Sequence, residues 1–563
     1  MIIKIFLILI LTVSLYANEI KNLNFGGNID LVLGDFSTSN LNKVCNITYP
    51  PFYKFWEKNP TFNLYDIQIC EELLIEYAQS LGFYEADIST IIKDNTATIN
   101  IIKNRPIMIN SIEVDEEYKK IINIEVNKPF TTINFSNSKK AITRHLSQIG
   151  YPKAELDSKA YVDIDEYKVD IVYKVIKNNP QYFGDITIDN DAKIDLEYIE
   201  KEVKFKKGEL YNSLLVDNTY EGLYNFGIFK YISIEENLDT HDDVIPVNIK
   251  LLEGAYRETL YSIGYDTNTG GRLKAQYTND NFLGNLKKFT IGTRINQDGY
   301  RIYNNFYNPF FYLDGVSLNN DVTYEDIDYL SYKQRKIEEK IALSKDIFGL
   351  THSIGLLSEH SEIESKLQEY ESGNYLLNSL FYNMILDRRD SALNPKNGYY
   401  ISFYIENGTQ SLGSEIDYIK TQTELRYIKS FDKLTTSFKT TVGTIDHDLP
   451  IFKHFFAGGD YSNRGYTYQK VGVLDSEENP YGGLSMIDST IEFEYNIYKD
   501  IGIATFFDST MLSQKSNSFN ERFYNSVGIG ARYYTPIGPL RVDFGFPLRD
   551  GGFVFHIGIG QVF

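Results

Sequence analysis

Two spacings of apolar residues divide the chain. In the front part they recur at helical intervals. Ile67, Cys70, Leu73, Leu74, Tyr77, Ala78 and Leu81 lie on one face, and Gly82 stops the helix before Phe83 and Tyr84 begin a strand. Ile142, Leu146 and Ile149 before Gly150 predict a second helix, and Leu215, Thr219, Leu223 and Phe226 before Gly227 a third. Each glycine is followed by an alternating stretch, at 98–102, 168–175 and 244–252. The three glycines recur roughly every seventy residues, which predicts three related α/β modules.

From residue 255 the helical spacing gives way to alternation with a period of two. Strands are predicted near 256–266, 273–279, 289–295, 300–307, 316–324, 329–344, 351–362 and 374–386. Eight more follow near 399–408, 416–430, 434–443, 486–498, 501–512, 524–534, 538–547 and 552–563. Each strand with its connection takes about 19 residues, which suits membrane strands of roughly 9–11 residues. The last strand shows the alternation most clearly. Phe553, Phe555, Ile557, Ile559 and Phe563 share a face expected to meet lipid, with Val554, His556, Gly558, Gly560 and Val562 opposite. An open sheet edge does not survive in hydrocarbon, so this strand is expected to pair with 256–266 and close a barrel. Gly264, Gly558 and Gly560 either weaken that seam or fit tight curvature. An even strand count places both barrel ends on the side of the front modules.

One segment breaks the series. Roughly forty residues, about 444–485, separate the eleventh and twelfth strands, far more than a hairpin needs. At its centre is the stretch 455–466, FFAGGDYSNRGY. Gly458 and Gly459 permit a sharp reversal, and Asn463 and Gly465 tolerate a positive φ on either side of Arg464, so the loop can present one fixed guanidinium. With Ile491, Phe493 and Tyr495 facing lipid, Glu492 and Glu494 turn inward. Ile501, Ile503 and Phe507 likewise turn Asp508 inward. A re-entrant Arg464 would find a partner in Asp508 or Glu492, whose planar geometry suits a guanidinium.

Composition supports this reading and excludes others. The 45 Tyr and 36 Phe bring aromatics to 15%, and the formal net charge is -20. Aromatic girdles with mild overall polarity fit a membrane barrel, and the acidity leaves no basic patch for nucleic acid. Residues 1–17 read as a secretion signal: Lys4, an apolar run over 5–13 and a small-residue exit at Ala17. No apolar run of about twenty residues follows it. The two cysteines, Cys45 and Cys70, can pair in an exported chain, although Cys70 also belongs to an apolar helix face. The seven histidines form no metal-ligand spacing, and Gly528 and Gly530 lie in a strand without the third glycine of a dinucleotide site. An enzyme, a metal site and a cofactor are therefore not expected.

Five places together resemble the BamA/TamA superfamily of outer-membrane assembly and translocation barrels, whose periplasmic units are POTRA domains. They are Asn463, Arg464, Gly465 and Tyr466; Asp387 to Asp390 with Pro395 and Gly398; Gly482 and Gly483 with Ser489 and Glu492; Phe506 to Asp508; and Tyr534 to Asp543. Asn463 stands where the family usually has Val or Ile, and Gln561 where an aromatic is common. Three POTRA units, expected at 18–104, 105–179 and 180–254, and a sixteen-stranded antiparallel barrel over 255–563 are closest to the TamA branch. The resemblance implies Arg464 in the lumen, Phe563 as a terminal targeting signal and a seam that opens laterally. It implies an insertase or translocation factor in the outer membrane of a Gram-negative bacterium. Its partners would be outer-membrane lipid, unfolded outer-membrane or secreted proteins and a TamB-like protein anchored in the inner membrane. The alternatives are a two-partner-type secretion transporter and the main BamA-type assembly barrel. A passive pore would leave the front modules and the loop without a role.

Overall fold

The computed structural model describes residues 20–30, 34–50, 56–239, 242–312, 315–498, 500–535, 538–560 and 563. The secretion signal, His241, Pro536, Ile537, Gln561 and Val562 lie outside the described residues.

Three small sheets occupy the front of the chain. The first contains β1 (Asn22–Gly27), β2 (Asp87–Lys93) and β3 (Thr96–Ile102), with helices α1 (Thr38–Val44) and α2 (Leu64–Ser80) between β1 and β2. Its order is β1-β3-β2, with β1 parallel and β2 antiparallel to β3. Asn63 and Asp66 form a capping box that starts α2, whose Ile67, Cys70, Leu74 and Ala78 enter the core. The second module repeats this plan with β4 (Met108–Glu113), α3 (Thr132–Gln148), β5 (Glu155–Asp163) and β6 (Lys168–Ile176), in the order β4-β6-β5. The third consists of β7 (Tyr182–Asn190), α4 (Leu196–Glu202), α5 (Ser213–Tyr224), β8 (Phe229–Glu236) and β9 (Val244–Glu253), ordered β7-β9-β8. One prediction fails here: Phe83 and Tyr84 do not begin a strand. The Phe83 amide closes the end of α2 on the Ala78 carbonyl at 2.9 Å, and its ring packs on the first core. β2 starts only at Asp87.

The rest of the chain forms one sheet of sixteen strands in sequence order. They are β10 (Arg257–Asp266), β11 (Gly270–Asn279), β12 (Lys288–Asn296), β13 (Gly299–Asn308), β14 (Val316–Asp328), β15 (Tyr332–Ile347), β16 (Leu350–Ser365) and β17 (Gly373–Asp387). The second eight are β18 (Asn397–Gly408), β19 (Tyr418–Phe431), β20 (Leu434–Ile445), β21 (Ser485–Tyr498), β22 (Ile501–Ser513), β23 (Tyr524–Tyr533), β24 (Leu540–Pro547) and β25 (Val554–Ile559). Neighbours pair antiparallel throughout, from Arg257↔Asn279 between β10 and β11 to Leu540↔Ile559 between β24 and β25. Alternation separates two surfaces. Ile491, Phe493 and Tyr495 are 38%, 48% and 46% exposed, while Glu492 and Glu494 between them are 2% and 5% exposed. Such an arrangement, with apolar residues outward and ionised ones inward, belongs to a barrel in lipid.

The final strand departs from expectation. β25 ends at Ile559, Gly560 adopts a left-handed φ of 102°, and Phe563 is buried against Ile428, on the inward face of β19. Phe563 therefore does not share the lipid-facing row of Phe553 and Phe555. A strand alternates faces only while it stays in the sheet, and this one leaves it.

Candidate functional site

The long connection between β20 and β21 folds back into the barrel. Its two limbs meet at an isolated bridge between Phe455 and Gly483, and the Ala457 carbonyl accepts the Val471 amide at 3.1 Å. The reversal uses Gly458 and Gly459, at φ 107° and 102°. Asn463 and Gly465, expected to supply positive φ, do not. Gly465 serves a different need: a Cβ there would overlap the side chain of Ser526 on the wall. On β24 the matching residue is Gly545, where a Cβ would overlap the Arg464 carbonyl. Two glycines thus let loop and wall backbones approach.

Arg464 is completely buried. Its backbone amide and Nε donate to Asp508 Oδ2 at 2.9 and 3.0 Å, and Nη2 donates to Oδ1 at 2.9 Å. Nη1 donates to Glu492 Oε2 at 2.5 Å, and the guanidinium lies 3.3 Å from the centroid of the Phe506 ring. Both carboxylates named from the sequence are thus in contact with it. Three residues that the sequence reading did not single out as partners complete the network. Arg532 donates to Glu492 Oε1 at 3.0 Å and to Asp543 Oδ1 at 2.6 Å, and Arg541 donates to Asp543 Oδ2 at 3.3 Å. Their inward parity was readable, but which inward residues meet across strands was not. Asn463 is satisfied as a polar residue: its Nδ2 donates to the Tyr524 carbonyl at 2.7 Å, and the Ser526 hydroxyl donates to its Oδ1 at 2.7 Å. Tyr466 donates its hydroxyl to Asp550 Oδ2 at 2.7 Å.

Among the described residues the seam has no ladder. β10 and β25 are the two ends of the sheet order. Among the described residues one backbone hydrogen bond joins the edges, from the Thr267 amide to the Ile557 carbonyl at 3.3 Å. Thr267 Oγ1 adds a contact with His556 Nδ1 at 3.3 Å. Both lie at one end of β10, so the edge from Arg257 to Tyr265 has no strand partner among the described residues. Gly264 lies on that edge beside the Arg272 guanidinium. Gly558 lies on β25 against Asp460, where a Cβ would come within 2.8 Å of the carboxylate.

A family model described as the Omp85 superfamily domain matches residues 281–563. The chain belongs to the Omp85 superfamily. A second model, POTRA, described as a surface antigen variable number repeat, matches residues 181–254. The chain is 22% identical over 467 residues to the outer membrane protein assembly factor BamA of Nitratidesulfovibrio vulgaris, covering 78% of this chain and 58% of the relative's length. It is 20% identical over 613 residues to that of Neisseria meningitidis serogroup B, covering 94% and 76%. The fold is shared with the crystal structure of Haemophilus ducreyi BamA lacking POTRA domains 1–3, at a TM-score of 0.64 and 18% identity, over 80% of this chain and 98% of that one.

This Omp85 chain is an outer-membrane barrel with its POTRA region in the periplasm. Its re-entrant loop has a second anchor that sequence reasoning missed. Lys453 is buried and donates to Glu359 Oε2 of β16 at 3.0 Å and Glu406 Oε1 of β18 at 3.3 Å. The Tyr418 hydroxyl also donates to Glu406. A lysine in a loop reads as solvated unless the inward glutamates of distant strands are known. The loop therefore grips the wall at β16 and β18 through Lys453, and at β21 and β22 through Arg464. In the first module Cys45 and Cys70 are joined by a disulfide that ties the end of α1 to α2. Asp446, His447 and Asp448 are exposed, and among the described residues no group of His, Cys, Asp and Glu could hold a metal ion.

Proposed function

We propose that this protein assembles or translocates outer-membrane or surface proteins by offering an incoming segment the unpaired edge of its barrel seam. The observation that carries this reading is the edge Arg257–Tyr265, which has no strand partner on its seam side among the described residues. The N–H and C=O groups of its alternate residues, those turned away from β11, have no ladder among the described residues, and each such group facing hydrocarbon costs several kcal/mol. An incoming strand would satisfy them by adding to the edge. Strand exchange of this kind swaps one set of hydrogen bonds for another and needs no chemical fuel. In the front modules β2 and β5 are edge strands that can receive an extended segment in the same way. The names of the relatives support assembly over export. A TamA-type role with a TamB-like partner rests on the motif resemblance.

The experiment is a reversible lock. Cysteines introduced by Thr267→Cys and Ile557→Cys are oxidised in the full-length protein in proteoliposomes, and folding of an unfolded outer-membrane protein is followed by protease resistance. Assembly is expected to fall at least about tenfold when the seam is locked and to return on reduction. Unchanged assembly with a fully locked seam would rule out lateral insertion.

A further inference from the structure

The loop segment 459–464 lies along the seam as well as against the wall at β21 and β22, and its contacts connect the two edges. On the β10 side it meets the turn between β10 and β11. Asn268 Nδ2 donates to Asp460 Oδ1, and the Asp460 amide donates to Asn268 Oδ1 at 3.4 Å. On the β25 side Arg541 Nη1 donates to the Asp460 carbonyl at 3.2 Å, and the Tyr461 hydroxyl donates to the Ile559 carbonyl at 3.1 Å. His556 Nε2 lies 3.0 Å from the Arg464 carbonyl. Room for this crossing comes from Gly459, where a Cβ would press on Asn268, and from Gly558, where it would press on Asp460. The glycine at 558 thus admits a side chain rather than merely weakening a strand.

We infer that Asp460 is the latch of the seam: it ties the first hairpin, through Asn268, to the last two strands, through Arg541, and so limits opening at the seam's outer end. Among the described residues the direct backbone connection between the edges is a single hydrogen bond, whereas the strap supplies polar contacts on both sides. Its grip is also incomplete on one side. Asp460 Oδ2 and Arg541 Nη2 are buried and form a long ion pair at 3.6 Å, and among the described residues neither atom has a hydrogen-bond partner. A buried carboxylate with one unsatisfied oxygen is held less firmly than the fully bonded Asp508 beside Arg464. The strap can therefore release while the Arg464 anchor stays in place. This inference rests on the seam being the working site, and its test does not depend on that reading.

The test measures seam closure without any substrate. The Thr267→Cys, Ile557→Cys pair is oxidised in outer membranes carrying the full-length protein, in three backgrounds: no further change, Asp460→Ala and Asn268→Ala. Heat-modifiable migration on a semi-native gel establishes that each barrel is folded. The cross-linking rate is expected to fall at least about fivefold in both strap variants. Asn268→Ala removes the same contact from outside the loop, so it decides alone if Asp460→Ala does not insert. An unchanged rate in a folded Asn268→Ala barrel would overturn the latch. Loss of cross-linking alongside undisturbed assembly by a locked seam would keep the latch and refute the proposed function.

Discussion

The seam and the wall at β21 and β22 are made from the same kind of strand but held in opposite ways. Between β21 and β22 the register runs from Ser485↔Ser513 to Tyr498↔Ile501, and Arg464 binds both strands from inside through Glu492 and Asp508. Between β10 and β25 there is, among the described residues, one backbone hydrogen bond and a strap. The difference teaches that closure of this barrel is not uniform: one side is reinforced by buried charge, and the other is left with an edge. Uneven stability of this kind is what a wall that opens at one place requires.

Arg464→Ala should have the largest effect on the contrast. It strips buried Asp508 of its guanidinium partner and leaves Glu492 to Arg532 alone, a loss of roughly 3–5 kcal/mol in loop anchoring. Limited trypsin digestion is expected to cut at Lys453 or Lys470 in the variant while the barrel remains inserted. A loop as protected as in the unaltered protein would mean that the reinforcement lies elsewhere. Gly545→Ala should act less strongly, at about 1–3 kcal/mol, because a methyl group there collides with the Arg464 carbonyl and lifts the loop from an otherwise intact wall. Thermal loss of heat-modifiable migration would report it, and an unshifted transition would remove the argument for close approach.

The barrel was legible in the sequence because alternation is a local property. Sixteen strands and the inward turn of Glu492 and Asp508 follow from parity, whereas the loop's length only allowed re-entry and the family resemblance implied Arg464 in the lumen. What stayed hidden depends on contacts between distant segments. Nothing near Lys453 reveals that Glu359 and Glu406 will meet it, and nothing near Asn268 reveals Asp460. Gly465 was read for its backbone freedom, whereas the wall at Ser526 requires its missing side chain. The alternation through Phe563 was real as a pattern, but Gly560 turns the chain before the pattern ends.

Asn463 gives the smallest and sharpest probe. Asn463→Val supplies the family's more usual residue but removes the acceptor of the Ser526 hydroxyl and the donor to the Tyr524 carbonyl. A cost of about 1–2 kcal/mol is expected, read as a modest increase in loop digestion. Adding Ser526→Ala should recover much of it, since the buried hydroxyl is then gone, and failure to recover would show that the two residues do not act as a pair.

Hydrogen exchange of the full-length protein in lipid tests the central contrast most directly. Between Arg257 and Tyr265 on β10, the alternate amides turned away from β11 should exchange at least about a hundredfold faster than those of β15 and β16, whose ladder runs from Tyr332↔Ser365 to Ile347↔Leu350. Equal protection on β10 and on β15 and β16 would contradict the account, since it would mean that the seam is closed as firmly as the rest of the barrel.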